Sequence, residues 1–270
     1  MRIARFVHED AIHFGSVELL VDGGDNPETV SVLSGDPLVA PVQFTGERHH
    51  LDDVRLLAPV IPRSKIVAIG RNYATHAAES GNEVPEVPMM FLKPNTAVIG
   101  PGEPIVYPTQ STHVEHEAEL AVVIGRICKD VPADRAGDVI FGYTCANDVS
   151  ARDLQASDGQ WGRAKGFDTF CPLGPWIVTH LSVEDAGDLA IGAQITDSDG
   201  NTVERQASST ANMTHAIATL VAHVSSVMTL LPGDVILTGT PEGVGPLQPG
   251  DTVGITIASI GTLSNPVTDA

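Results

Sequence analysis

Across 270 residues, one segment alone carries apolar side chains at convincing helical spacing. It runs from about Asn212 to Thr229, where Met213, Ile217, Leu220, Val221, Val224 and Met228 recur on one face. Pro232-Gly233 stops it. The other apolar runs are short and cut by turn residues, which fits a chain with 26 glycines and 19 prolines. Strand character falls at Arg2–His8, Ile12–Val17, Leu19–Val21, Ser64–Ile69, Met89–Leu92, Glu117–Ile124, Ile140–Cys145, Val235–Leu237, Thr252–Ile257 and Thr262–Val267. Ile191–Thr196 and Asn201–Arg205, joined by the acidic turn Asp197-Ser198-Asp199-Gly200, read as a hairpin. That turn lacks the spacing of a calcium loop. Helices do not alternate with the strands, so repeated βαβ units are excluded and a mainly β (α+β) fold is expected. Residues 1–60, punctuated by Gly15 and Gly23-Gly24, read as a small N-terminal β domain. Leu56–Pro62 reads as a linker into a main body spanning residues 61–270. A short helix fits Tyr73 to about Ser80, and the Pro-rich stretch Gly81–Pro88 has no regular structure.

Fifteen basic residues against thirty-four acidic ones give a net charge of −19. Such a surface repels nucleic acid and anionic membranes, so neither is expected as a partner. An anionic ligand would need a locally positive site. Cys128, Cys145 and Cys171 are scattered, with no C-x-x-C, which argues against a zinc site or a disulfide framework and for a reducing cytoplasm. The segment Met1–Phe6 lacks an apolar signal core, and no run of about eighteen apolar residues is present to span a membrane.

The segment His116-Glu117-Ala118-Glu119-Leu120 places two carboxylates at the mouth of an apolar strand. Side chains alternate along a strand, so Glu117 and Glu119 point the same way. Held together at the edge of a core they repel, unless a cation sits between them. Hard oxygen ligands suit Mg²⁺ or Mn²⁺. A solvated E-x-E edge is the alternative. Asp148 lies where the next strand ends, and Arg152 follows four residues later; on a helical turn the two would share a face. A helix N-cap is the other reading of Asp148. His76 and Glu79, three residues apart on the short helix, suit a carboxylate-held general base or an exposed pair. Gly70-Arg71-Asn72 before them can form a substrate-facing turn. Lys165 lies in a Gly-flanked polar stretch, and Thr238–Gly245 offers hydroxyls and backbone N–H groups without being a nucleotide loop.

Six motifs in order carry a resemblance. They are Gly70–His76, Phe91-Leu92-Lys93-Pro94, His116–Leu120, Asn147–Gln155, Arg163–Thr169 and Pro232–Pro241. Together they resemble the fumarylacetoacetate hydrolase family, most closely bacterial acylpyruvate hydrolases and oxaloacetate decarboxylases. The resemblance implies a mixed β-roll with few helices, usually a homodimer. It implies that Glu117, Glu119 and Asp148 hold Mg²⁺ or Mn²⁺. It places Arg152, Gln155, Lys165 and Thr240 against the substrate, beside the Arg71 of the substrate-facing turn, and gives catalytic roles to Lys165 and to a water-activating dyad, His76 and Glu79. The expected substrate is a small anionic 2-oxo acid that chelates the metal. The expected reaction is C–C hydrolysis of an acylpyruvate such as fumarylpyruvate or acetylpyruvate. The alternative is oxaloacetate decarboxylation, and third stands isomerisation of a 2-hydroxyhepta-2,4-diene-1,7-dioate or 5-carboxymethyl-2-hydroxymuconate. A non-catalytic metal-binding scaffold is the reading from another class.

Overall fold

The computed structural model describes residues 1–19, 28–79 and 81–270. The fold is mainly β, as the sequence implies. Among the described residues a twelve-stranded sheet forms the body. Its path runs Phe44–His50, Thr29–Leu33, Ala11–Glu18, Arg2–His8, Cys171–Val178, Ile140–Asn147, Ala118–Ile124, Val235–Leu237, Ile66–Gly70, Met89–Lys93. A five-stranded sheet carries the hairpin of Ala190–Thr196 and Thr202–Ser209 with Thr252–Ile257, Gly261–Asp269 and Ile105–Tyr107. A small sheet joins Ser150–Ala151, Val114–His116 and Gly245–Pro246.

Strand Ala118–Ile124 is wholly buried, which explains its unbroken apolar run. Leu120, Val122 and Ile124 enter one core cluster, with Val67, Ile69 and Ile236. Ala121 and Val123 enter another on the opposite face, with Ile66, Ala68, Val235 and Leu237. Truncating Leu120 to Ala would cost about 2–5 kcal/mol at such a site.

Several expectations shift. The linker starts later than Leu56, because Arg55–Leu57 is a strand paired with Arg2–His8. Arg2–His8 also pairs with Cys171–Val178, so the N-terminal strands continue the main sheet. The expected strand at Leu19–Val21 and the turn at Gly23-Gly24 fall largely outside the described residues, as does Ser80. The long helix begins at Ile217, not Asn212, and ends at Val227. Thr210–Asn212 forms a separate short helical turn. Beyond it, the Thr214 N–H donates to the Asn72 carbonyl and the His215 N–H to Asn72 Oδ1, so tertiary bonds claim this backbone. Short helices Ala74–Glu79, Arg152–Asp158, Gly162–Lys165 and Val183–Ala186 join the long one. Gly81–Pro88 is irregular, as expected.

Register brings the candidate residues together. Ala118 pairs with Asn147 across the antiparallel ladder. The Asp148 N–H then donates to the Glu117 carbonyl at 3.0 Å, so the two residues leave their strands side by side. Val235–Leu237 runs parallel to Ile66–Gly70. This carries the 238–240 and 70–72 segments out of the sheet at the same end.

Candidate metal and active site

Carboxylate oxygens of Glu117, Glu119 and Asp148 lie within 4.8 Å of one another, and all three residues are buried. Glu117 sits between two strands rather than inside one, yet keeps the side shared with Glu119. Asp148 follows its strand directly and does not lie on a helix; Ala151 occupies the N-cap of Arg152–Asp158. Both helical readings of Asp148 therefore give way to a strand-end carboxylate.

Three cations surround the cluster. Lys165, 2% exposed, donates to Glu117 Oε2 and Asp148 Oδ2, each at 2.7 Å. Lys93 donates to Asp148 Oδ1 and to the Lys165 carbonyl. Arg152 donates through Nε to Glu115 at 2.7 Å and through Nη1 to Gln155 at 2.9 Å. Its Nη2 forms an ion pair with Glu117 Oε1 at 2.6 Å. Burial works against ionisation of Glu117, but Lys165 and Arg152 outweigh it and hold this carboxyl well below its usual range. Burial likewise opposes the Lys165 charge, and Asp148 and Glu117 overcome it, raising the ammonium above its ordinary value.

Glu119 differs. It forms no ion pair among the described residues and accepts one bond, from the Gly239 N–H at 2.6 Å. Burial, then Asp148 and Glu117, push its carboxyl well above the usual range. Gly239 sits at φ +95°, and a Cβ there would lie 2.7 Å from that of Asn72, so glycine is required for this approach. A buried carboxylate facing two others, short of a cation, is the environment a hard divalent ion relieves. The three donors fit such an ion.

The cluster opens into a cavity of about 600 Å³. Arg71, His76, Glu79, Arg152, Gln155, Lys165 and Thr240 all line it, so the residues expected to bind substrate or act in catalysis reach one chamber. His76 is buried, with Nδ1 3.5 Å from Glu79 Oε2 and no hydrogen-bond partner. Both Glu79 oxygens accept from the Gly243 N–H, at 3.3 and 3.2 Å. Two N–H groups of the 238–245 loop thus hold site carboxylates. Thr240 accepts from Gln206 Nε2 at 2.9 Å, and Gln206 Oε1 takes the Ala118 N–H at 2.9 Å and faces His116 Nδ1 at 3.2 Å. Burial pulls His116 down to about 4, which keeps it neutral at neutral pH.

Sequence reasoning gave no role to Lys93, Glu115, Trp161 or Gln206. The signal for Lys93 was present: a lysine closing the apolar strand Met89–Lys93 can be buried only against an acid. Gln206 alternates inward on a polar strand and left no such mark.

The family model "Fumarylacetoacetate (FAA) hydrolase C-terminal" matches residues 65–268, and "Rv2993c-like, N-terminal" matches residues 1–59. Protein Rv2993c of Mycobacterium tuberculosis is 52% identical over 267 residues, covering 99% of this chain and 98% of the relative. A crystal structure of 5-carboxymethyl-2-hydroxymuconate delta-isomerase from Mycobacterium smegmatis superposes with a TM-score of 0.88 at 53% identity, covering 100% of both chains. Maleylpyruvate hydrolase from Sphingobium sp. SYK-6, solved with manganese(II) and pyruvate, gives a TM-score of 0.77 at 33% identity, again covering 100% of both chains. The chain belongs to the fumarylacetoacetate hydrolase family. It is an enzyme of that superfamily, which has hydrolases and isomerases among its members. Among the described residues no helix is long and apolar enough to cross a membrane.

Proposed function

We propose that this enzyme hydrolyses the C–C bond of an acylpyruvate, releasing pyruvate and a carboxylic acid, with Mg²⁺ or Mn²⁺ held by Glu117, Glu119 and Asp148. One observation carries the reading: three buried carboxylates within 4.8 Å face a chamber that also holds the His76–Glu79 pair. The cation, when bound, supplies Lewis acidity toward the carboxylate and 2-keto oxygens of a chelating 2-oxo acid. Lys165 and Arg152 offset the negative charge that substrate brings to an already acidic site. Gln155 steadies the Arg152 fork, and Thr240, accepting from Gln206, keeps its hydroxyl hydrogen for the substrate. His76 takes a proton from water, and Glu79 stabilises the imidazolium that results. The water oxygen bonds to the distal carbonyl carbon, and the electron pair of the breaking C–C bond passes to the pyruvate fragment, which is then protonated at carbon. The protein works as a homodimer, with residues 1–60 as a small β unit.

Isomerisation is the second reading, supported by the 53% identity to a structure described as a delta-isomerase. It needs only the proton-transfer half of the machinery. Purified protein with Mg²⁺ or Mn²⁺ should release pyruvate from acetylpyruvate and fumarylpyruvate, and EDTA should abolish the release. Shift of a double bond in a 2-hydroxydienoate, with no pyruvate from any acylpyruvate, would overturn hydrolysis in favour of isomerisation. Pyruvate from oxaloacetate alone would overturn both in favour of decarboxylation.

A further inference from the structure

Around the carboxylate cluster the cations are committed: Lys93, Arg152 and Lys165 are paired with carboxylates, and Arg163 nearby is paired with Asp158. Arg71 is the exception. It lines the same chamber, half-buried, and makes no hydrogen bond or ion pair with any described residue. In a chain with thirty-four acidic residues and fifteen basic ones, an arginine at a cavity wall without a carboxylate is out of the ordinary. Its placement is built. The backbone at Arg71 sits at φ +58°, a left-handed conformation that non-glycine residues adopt at a cost. The preceding Gly70 has no room for a side chain, since a Cβ would lie 2.5 Å from Met89 Cε and 2.7 Å from Trp161 Cζ3. The guanidinium carbon lies over the Trp161 ring at 5.9 Å. A guanidinium over an indole face gains cation–π attraction while its N–H groups remain open to a ligand.

A run of ring contacts links Arg71 to the carboxylate cluster. Trp161 meets Phe91 edge to face at 5.2 Å, and Lys165 lies over Phe91 at 5.4 Å. Two aromatic rings in series thus connect this unpaired cation to Lys165, one of the three that serve the cluster. A ligand matching this wall has an anionic head at the cluster, a planar middle against the rings and a second anion at the far end.

We propose that Arg71 is the second anion subsite of this chamber, so that the enzyme selects 2-oxo acids bearing a carboxylate at both ends over those ending in an alkyl group. This inference rests on the acylpyruvate reading for its head-group placement. The test is a comparison of metal-loaded full-length wild type, Arg71→Met and Arg71→Lys. Neither substitution adds backbone cost, because both residues meet the same positive φ. With fumarylpyruvate and acetylpyruvate as substrates, Arg71→Met should cut the kcat/KM preference for the diacid by about thirtyfold, mainly through KM, the scale of one lost charge-assisted bidentate contact. Arg71→Lys should keep part of the preference. Equal losses for the two substrates, or an unchanged preference, would overturn the subsite. If wild type turns over neither, the acylpyruvate reading fails separately, and calorimetric binding of 2-oxoadipate against 2-oxohexanoate still decides. This pair shares a head and a chain length. Tighter binding of the diacid by at least tenfold, lost in Arg71→Met, supports the subsite; equal binding by wild type overturns it.

Discussion

Glu119 gives the sharpest thermodynamic test of the cluster. Its carboxyl is raised by burial and by Asp148 and Glu117, so folding of the metal-free protein favours the protonated form. The sign follows from linkage. A raised folded pKa contributes stability that is fully present below the unfolded pKa and lost as pH rises through the folded one. In EDTA, Glu119 therefore costs stability at every pH above the usual glutamate range, because folding must either take up a proton or bury the charge. Glu119→Gln removes the charge while its amide oxygen can still accept from the Gly239 N–H. The variant should melt above wild type in EDTA, with a gap that widens as pH rises above the usual glutamate range and closes in acid. One group changes stability by at most about 1.4 kcal/mol per pH unit. For a chain of this size that is roughly 3–5 °C per unit at the steepest point. Groups common to both proteins, Glu117 among them, cancel to first order in the difference. With Mn²⁺ at a hundredfold its dissociation constant, wild type should gain about 2.7 kcal/mol while the variant gains far less, so the gap between them shifts toward wild type by up to that amount. Thermal melts of both proteins from pH 4.5 to 8, with EDTA and with Mn²⁺, measure this. A pH-independent gap in EDTA, or an equal gain from metal, would refute the reasoning.

Three further outcomes follow from other parts of the site. His76→Ala should lower acylpyruvate hydrolysis by about 10²-fold or more while leaving metal affinity intact, read by steady-state kinetics beside Mn²⁺ titration; an equal loss in oxaloacetate decarboxylation would point to positioning instead. Lys93→Met leaves the buried Asp148 short of one cation and should cost about 3–5 kcal/mol in urea unfolding; a loss under 1 kcal/mol would contradict that pairing. Gln206→Leu strips partners from the Ala118 N–H and Thr240 and should destabilise by about 1–3 kcal/mol per buried group left unpaired, again by urea unfolding.

The fold class and the cluster were legible because each rests on a local rule. Ala118–Ile124 is apolar at every position, as a strand covered on both faces must be, and period-two alternation alone puts Glu117 and Glu119 on one side. Asp148 was legible as a strand end, but its partnership with Glu117 depends on the pairing of Ala118 with Asn147, and register across two strands leaves no mark in either one. The long helix was read five residues too early because Met213 and Ile217 share a period, while Asn72, some 140 residues away in sequence, binds the backbone at Thr214 and His215. Leu56 and Leu57 were read as linker because the three-residue strand Arg55–Leu57 carries no alternation to detect. The empty hand of Arg71 is a property of the assembled chamber and no spacing rule announces it.

The central claim is a single divalent ion held by Glu117, Glu119 and Asp148. Equilibrium dialysis of Mn²⁺ against metal-stripped protein measures it most directly. One ion per chain in wild type, and none in Glu117→Gln/Glu119→Gln/Asp148→Asn with native far-UV circular dichroism, is the predicted result. Undiminished binding in that triple variant, or no saturable binding by wild type, would contradict it.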